Sequence, residues 1–166
     1  MSTLLEKQIK VNRIVTTSME HARAIEDPVR AKTVEILYHQ ALSAEQITNA
    51  LKKAGYKKAL TTIRHHLDIL KVSGLIEIVK IEEARGAITK YYSTSTKLLD
   101  FQTPEDFDSK YSKVIDKTST KIEKILTNLK PKTKSKSKKS TEYSQYLVME
   151  IMNRAMANVF EKPTKK

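Results

Sequence analysis

The sequence contains no cysteine, which excludes a disulfide framework, a thiolate metal site and a cysteine nucleophile. Only three glycines are present, and none belongs to a glycine-rich phosphate loop. Serine, histidine and carboxylate residues do not occur together at a recognisable catalytic spacing. We therefore expect a protein that is not an enzyme and that binds neither a cofactor nor a metal.

Long apolar runs are also missing. The first residues, MSTLLEKQIKVNR, are interrupted by charges, and no later uncharged stretch approaches the ~20 residues that cross a bilayer. The hydrophobic content of 39% is enough for a modest core. These features predict a soluble protein with no segment that inserts into a membrane.

The charge is strongly positive. Lysine and arginine number 31 against 19 aspartates and glutamates, so the formal net charge is 31 − 19 = +12. Such an excess favours a polyanionic partner. Nucleic acid is the first candidate, and an anionic membrane surface is the second.

Residues 61–71 have the most informative pattern. In a helix, Ile63, His66, Leu67 and Leu70 share one face, which predicts that they pack on a core, with His66 as a hydrogen-bonded core histidine. The opposite face then carries Thr61, Arg64, His65 and Asp68. Small hydrogen-bonding and cationic side chains of this kind read DNA from a helix in the major groove.

The preceding residues predict two further helices. Asp27-Pro28 is a helix start, with a carboxylate acceptor before a proline in the first turn. Ser43 and Gln46 form a capping box before a second apolar stripe that reaches Gly55. The basic residues of the connection that follows, Lys57 and Lys58, lead into the helix at residues 61–71.

Two β-branched runs follow that helix, at residues 75–81 and 88–94. Residues 82–86 between them predict a hairpin tip that presents Arg85. We expect Arg85 to contact DNA in the minor groove, although Glu82 and Glu83 repel phosphates if they point the same way.

The flanking segments predict association. In residues 1–24 we expect an amphipathic helix, because Leu4, Val11, Val15, Met19 and Ala22 recur at helical spacing in a pattern that runs from Leu4 to about Ile25. Residues 102–130 predict a long helix that starts at Thr103-Pro104 and has a coiled-coil seam. Residues 131–141 are a lysine-rich linker or arm, and 142–166 are an amphipathic helix and tail. The expected dimerisation residues are Leu4, Val11, Val15, Tyr111, Ile115, Ile122, Ile125 and Leu129.

The middle of the chain, residues 25–101, resembles the ArsR-type winged helix-turn-helix repressors and their archaeal relatives. The resemblance rests on Asp27-Pro28-Val29-Arg30, on residues 43–47 and 62–67 with Leu70 and Gly74-Leu75-Ile76, and on Lys90-Tyr91-Tyr92-Ser93. It implies a homodimer on an inverted repeat, with half-sites about one helical turn, ~34 Å, or a multiple of it apart.

The metal-sensing members of that family use cysteines, or Asp and His on the last helix. This chain has no cysteine, and residues 104–130 contain no histidine. We therefore expect no metal sensing, and the resemblance does not identify an effector.

The predicted fold is mainly α with a small β-hairpin wing, an α+β winged helix-turn-helix with N- and C-terminal dimerisation helices. We expect a homodimeric regulator of transcription that binds double-stranded DNA, acts by repression and lies in the cytoplasm with the nucleoid. Two alternatives are an architectural chromatin protein with little sequence preference and a winged-helix module that binds transcription proteins. The predicted DNA-binding residues are Lys57, Lys58, Thr61, Thr62, Arg64, His65, Lys71, Arg85 and Lys90.

Overall fold

The computed structural model describes residues 18–94, 96–99, 101–129 and 138–161, with side chains from 141 onward in the last range. The chain divides into two compact units, one of Thr17–Phe101 and one of Gln102–Lys166 with Met1–Thr16. The predicted association residues Leu4, Val11 and Val15 lie outside the described residues, as do residues 131–137 of the lysine-rich segment.

The unit Thr17–Phe101 combines four helices with a small antiparallel sheet. Its elements are α1 (Met19–Ile25), α2 (Pro28–Leu37), β1 (Leu42–Ser43), α3 (Ala44–Lys53), α4 (Leu60–Val72), β2 (Glu77–Ala84) and β3 (Ala87–Ser93). The strand order is β1-β3-β2, and both pairings are antiparallel. The protein is therefore mainly helical with a small antiparallel sheet, and this composition confirms the coarse prediction of an α+β fold.

Two helix starts predicted from the sequence are confirmed. Asp27 caps α2, because its Oδ1 accepts hydrogen bonds from the amides of Val29 and Arg30 at 2.8 and 3.1 Å. At α3 the Gln46 amide donates to Ser43 Oγ at 3.3 Å, and the Ser43 amide donates to Gln46 Oε1 at 2.8 Å. Each cap stabilises its helix by ~1 kcal/mol because it satisfies amides that have no partner inside the helix.

The core lies where the α4 pattern predicted it. Ile63, His66, Leu67 and Leu70 are all buried on one face of α4. The three apolar residues of this set, Ile63, Leu67 and Leu70, belong to a cluster that draws on every helix of this unit, with Ala24, Val29, Val34, Leu37, Ala44, Ile47, Leu51, Leu75 and Ile76. Gly74 follows α4 with φ of 76°, a left-handed conformation that glycine adopts without steric cost.

The first helix differs from its prediction. A helix over residues 4–25 cannot be continuous, because Ser18 is extended, with ψ of 154°, and its side chain caps α1 at Met19. Met19 and Ala22, predicted on the apolar face, are exposed, whereas Ala24 is buried. The predicted boundary between residues 24 and 25 therefore falls inside α1, which contributes to the core of the unit Thr17–Phe101.

The hairpin tip is shorter than the predicted residues 82–86. Glu82, Glu83 and Ala84 belong to β2, and Ala84 pairs with Ala87. Only Arg85 and Gly86 form the turn, and both have positive φ, 53° and 79°. Two central residues with positive φ match the right-handed twist of the strands, so the ladder continues to the turn.

The second unit contains α5 (Phe107–Leu129) and α6 (Lys138–Phe160), which contact one another. The predicted start of α5 at Thr103-Pro104 is wrong, because the Phe107 amide donates to the Pro104 carbonyl in a turn that precedes the helix. The predicted boundary at residues 141–142 is also wrong, because α6 already includes Lys138. Within the described ranges, no helix combines the length and apolar character needed to traverse a membrane.

Candidate nucleic-acid interface

The outward face of α4 forms the centre of the candidate interface. Thr61, Arg64 and His65 are exposed and Thr62 is half-buried, as the helical spacing predicted. Ala59 precedes the helix without a side-chain cap, so the first amides of α4 are available to an external acceptor. Helix N-termini attract anions through such amides and the helix dipole.

Arg64 forms an ion pair across the helix–helix connection. Its Nη2 lies 3.0 Å from Oε1 of Glu45 on the first turn of α3, and both side chains are more than half exposed. The pKa of Glu45 is lowered, first by a hydrogen bond from its own amide and further by the Ser43 hydroxyl and by Arg64, against the opposing effect of burial. An exposed pair of this kind contributes at most ~1 kcal/mol to stability, so its loss should leave the fold intact.

A polar groove of about 420 Å³ runs between α4 and the sheet. It is lined by Ala44, Glu45, Arg64, Asp68, Ile88, Thr89, Lys90 and Tyr92. Burial raises the pKa of Tyr92, with a further contribution from the negative charge of Asp68. The groove therefore brings Arg64 and Lys90 together from positions 26 residues apart in the sequence.

Four of the predicted DNA-binding cations are unneutralised. Among the residues that the structure describes, Lys57, Lys58, Arg85 and Lys90 are exposed and form no ion pair. Lys71 differs, because its Nζ lies 3.5 Å from Oδ1 of Asp68, one turn earlier on α4. The free cations thus lie in the connection before α4 and on the hairpin, on both sides of the helix in sequence.

The hairpin neutralises one of its own acidic residues. Glu82 is ion-paired with Lys80 and accepts a hydrogen bond from the Tyr91 hydroxyl at 2.7 Å. The pKa of Glu82 is lowered, first by the Lys80 hydrogen bond and then by Tyr91. In the strand register Glu82, Lys80 and Tyr91 occupy the face opposite Lys90, whereas Glu83 lies on the same face as Lys90.

His66 is buried, as predicted, but its Nδ1 has no hydrogen-bond partner, contrary to the expectation of a hydrogen-bonded core histidine. The reason is geometric, since the nearest carboxylate oxygen, Asp27 Oδ1, lies 3.9 Å away and already accepts two amide hydrogen bonds. Within the described ranges, no three histidine, aspartate or glutamate side chains are grouped so as to hold a metal ion.

Sequence reasoning does not identify the contact that Glu45 makes in the candidate interface. The sequence marks Glu45 only as part of the helix start at residues 43–47, and nothing in the local pattern relates it to Arg64, 19 residues later. The pairing depends on the packing of α3 against α4, which a helical periodicity does not specify.

The second unit carries an apolar strip along the first two thirds of α5. A shallow groove of about 330 Å³ is lined by Phe107, Tyr111, Val114, Ile115, Thr118, Ser119 and Ile122. The rings of Phe107 and Tyr111 contact one another at a tilted angle of 46°, with 4.9 Å between centroids. Of the predicted dimerisation residues, Tyr111 and Ile115 are exposed, whereas Ile122, Ile125 and Leu129 are half-buried.

No family model matches the chain, and a search of curated proteins finds no significant similarity.

Proposed function

We propose that this protein is a sequence-specific, double-stranded DNA-binding regulator of transcription, with a winged helix-turn-helix in residues 17–101. In this proposal α3 and α4 are the helix-turn-helix, α4 is the recognition helix, and the β2–β3 hairpin is the wing. The observation that carries the proposal is the grouping of Arg64, Thr61 and His65 on one exposed face of α4, beside the unneutralised Lys90 of the hairpin.

The dimensions of α4 suit this role. Its 13 residues give a helix of ~20 Å, and the major groove, ~12 Å wide, admits one α-helix. The arginine donors match the O6 and N7 acceptors of guanine, and the threonine hydroxyls can donate to bases or phosphates. Lys57 and Lys58, immediately before α4, are placed for phosphate contacts, which fix orientation without reading sequence.

We infer that the active form is a homodimer on an inverted repeat. The apolar strip of α5 supports this proposal, because Tyr111 and Ile115 expose large apolar surface at the four-residue spacing of a helix-pairing seam. Repression by occupation of a promoter is the expected mode. The net charge of +12 supports rapid, salt-sensitive association with DNA.

The test is selection of bound fragments from a random DNA pool at near-physiological salt, followed by sequencing. An enriched inverted repeat supports the dimeric, specific regulator and gives its half-site spacing. Absence of any DNA binding contradicts the proposal and favours a module that binds transcription proteins.

A second candidate is an architectural protein that coats DNA with little sequence preference. The observation that favours it is the set of four unneutralised cations, Lys57, Lys58, Arg85 and Lys90, which can bind phosphates without reading sequence. The same selection separates the two, because tight, salt-sensitive binding without an enriched motif is the outcome that a coating protein gives.

A further inference from the structure

We propose that Glu45 is a specificity-determining residue that prevents Arg64 from acting as a phosphate clamp and holds it for base recognition. The inference rests on the proposed function, and it assigns a role to a residue that makes no DNA contact itself. Its basis is the 3.0 Å ion pair between Arg64 Nη2 and Glu45 Oε1 at the groove beside α4.

The geometry leaves Arg64 partly occupied. A guanidinium has five N–H donors, and Glu45 accepts from Nη2, so donors remain for a second acceptor. The neutral O6 and N7 atoms of guanine can accept from these donors while the carboxylate stays in place. A phosphate in the same position meets the negative charge of Glu45 and must displace it or suffer repulsion.

The surroundings of Glu45 favour its ionised form in that position. It lies on the first turn of α3, where a negative charge is favoured by the helix dipole. Its pKa is lowered by its own backbone amide, the Ser43 hydroxyl and Arg64. These groups favour the ionised carboxylate, so a negative charge lies beside Arg64 and faces any anion that approaches it.

The contrast with the other cations supports a division of labour. Lys57, Lys58 and Lys90 have no carboxylate partner among the described residues and are free to bind phosphates. On the outward face of α4, Arg64 is the side chain best suited to guanine. Its charge is neutralised by Glu45 of the neighbouring helix α3. Affinity from phosphates and selectivity from bases therefore come from different residues.

The test compares Glu45→Gln with the wild type on the selected site and on a scrambled duplex, over a range of salt concentrations. The neutral amide keeps the shape of the side chain but removes the charge. We expect affinity for the scrambled duplex to rise, with a log–log salt slope steeper by ~0.9 as Arg64 gains one phosphate. The ratio of specific to scrambled affinity should fall by ~5-fold or more, the lower end of what one base contact supplies.

Glu77→Gln is the matched control, since Glu77 is an exposed glutamate on β2 with no ion pair among the described residues. It makes the same change of net charge. A second control is Glu45→Gln in the Arg64→Ala background, where the specific effect should disappear and only the general charge effect should remain.

The outcomes separate the inference from the proposed function. If the wild type prefers its selected site and Glu45→Gln changes specificity no more than Glu77→Gln, Glu45 has no such role and the regulator proposal stands. If the wild type shows no preference for any duplex, the proposed function fails and the role of Glu45 fails with it. An equal loss of affinity for both duplexes also overturns the inference, because it indicates a purely structural residue.

Discussion

The Nδ1 atom of His66, on the buried face of α4, lies 3.9 Å from the Oδ1 atom of Asp27, the residue that caps α2. Burial lowers the pKa of His66 below its ordinary value of 6.5. The charge of Asp27 opposes this shift, while the positive charges of Arg30, His65 and Lys58 reinforce it. The folded protein therefore favours the neutral imidazole more strongly than the unfolded chain does.

We expect the free energy of unfolding to fall as the pH is lowered from about 6.5. The unfolded chain then takes up a proton on His66 that the folded protein resists, so stability is lost with acidification. Urea unfolding at a series of pH values measures this slope. His66→Gln should flatten it, whereas His21→Gln should not, and an unchanged slope in His66→Gln would contradict the assignment. Asp27 affects the free energy of unfolding in a separate pH range, below its ordinary pKa of 3.8, because folding also lowers its pKa.

Arg64→Ala should relax the base preference while leaving the protein folded, because the side chain is exposed and its ion pair contributes little stability. Loss of one arginine–guanine contact costs ~1–3 kcal/mol of discrimination at that base pair. Selection from a random pool measures the change. Arg23→Ala, at an exposed arginine of α1, removes the same charge and should keep the wild-type motif.

Replacing both Lys57 and Lys58 with glutamine should weaken binding to all sequences alike. Each phosphate contact that is lost lowers the log–log salt slope by ~0.9. Fluorescence anisotropy on selected and scrambled duplexes gives both quantities. The matched control replaces Lys117 and Lys121 of α5, and a similar loss in that variant would show that net charge alone explains the effect.

Tyr111→Glu with Ile115→Glu should dissociate the proposed homodimer. Both side chains are exposed on α5, so the charges should affect association more than the folding of the α5–α6 unit. Sedimentation velocity reports the oligomeric state, and circular dichroism checks that helix content is kept. Lys117→Glu, at another exposed position of α5, should remain dimeric, and unchanged sedimentation of the double variant would exclude this strip as the pairing surface.

Arg85→Asn separates the charge of the hairpin tip from its backbone conformation. Arg85 has φ of 53°, and asparagine tolerates this left-handed conformation better than most residues. The variant should keep the hairpin and bind DNA more weakly, whereas Arg85→Lys should recover most of the affinity. Equal DNA binding by the wild type, Arg85→Asn and Arg85→Lys would show that the hairpin tip makes no contact with DNA.

Local chemistry explains what the sequence predicted well. The caps at Asp27 and Ser43 and the inward residues of α4 depend on neighbours within four positions, and all were confirmed. The exposure of Arg64 and His65 follows from the same periodicity, since burying one face of a helix exposes the opposite one.

Contacts between distant segments account for what was missed. Strand β1 has only two residues, and its pairing of Leu42 with Tyr92 spans 50 positions, so no alternating pattern marks it. The register shift between Ile78 and Lys80 also depends on a contact between separate strands, because it is defined only by the pairing of β2 with β3. Sequence reasoning also placed the hairpin tip too early, because the acidic pair Glu82-Glu83 looks like a turn although both residues pair with β3.

The position of Ser43 has a consequence for the local unfolding of this protein. Its backbone pairs with Tyr91 of β3 in the sheet, while its side chain caps the first turn of α3 by accepting a hydrogen bond from the Gln46 amide. Fraying of that turn and separation of β1 from β3 therefore belong to one cooperative event. Amide hydrogens at Gln46 and along this part of β3 should exchange with deuterium at matching rates, faster than those of the buried centre of α4.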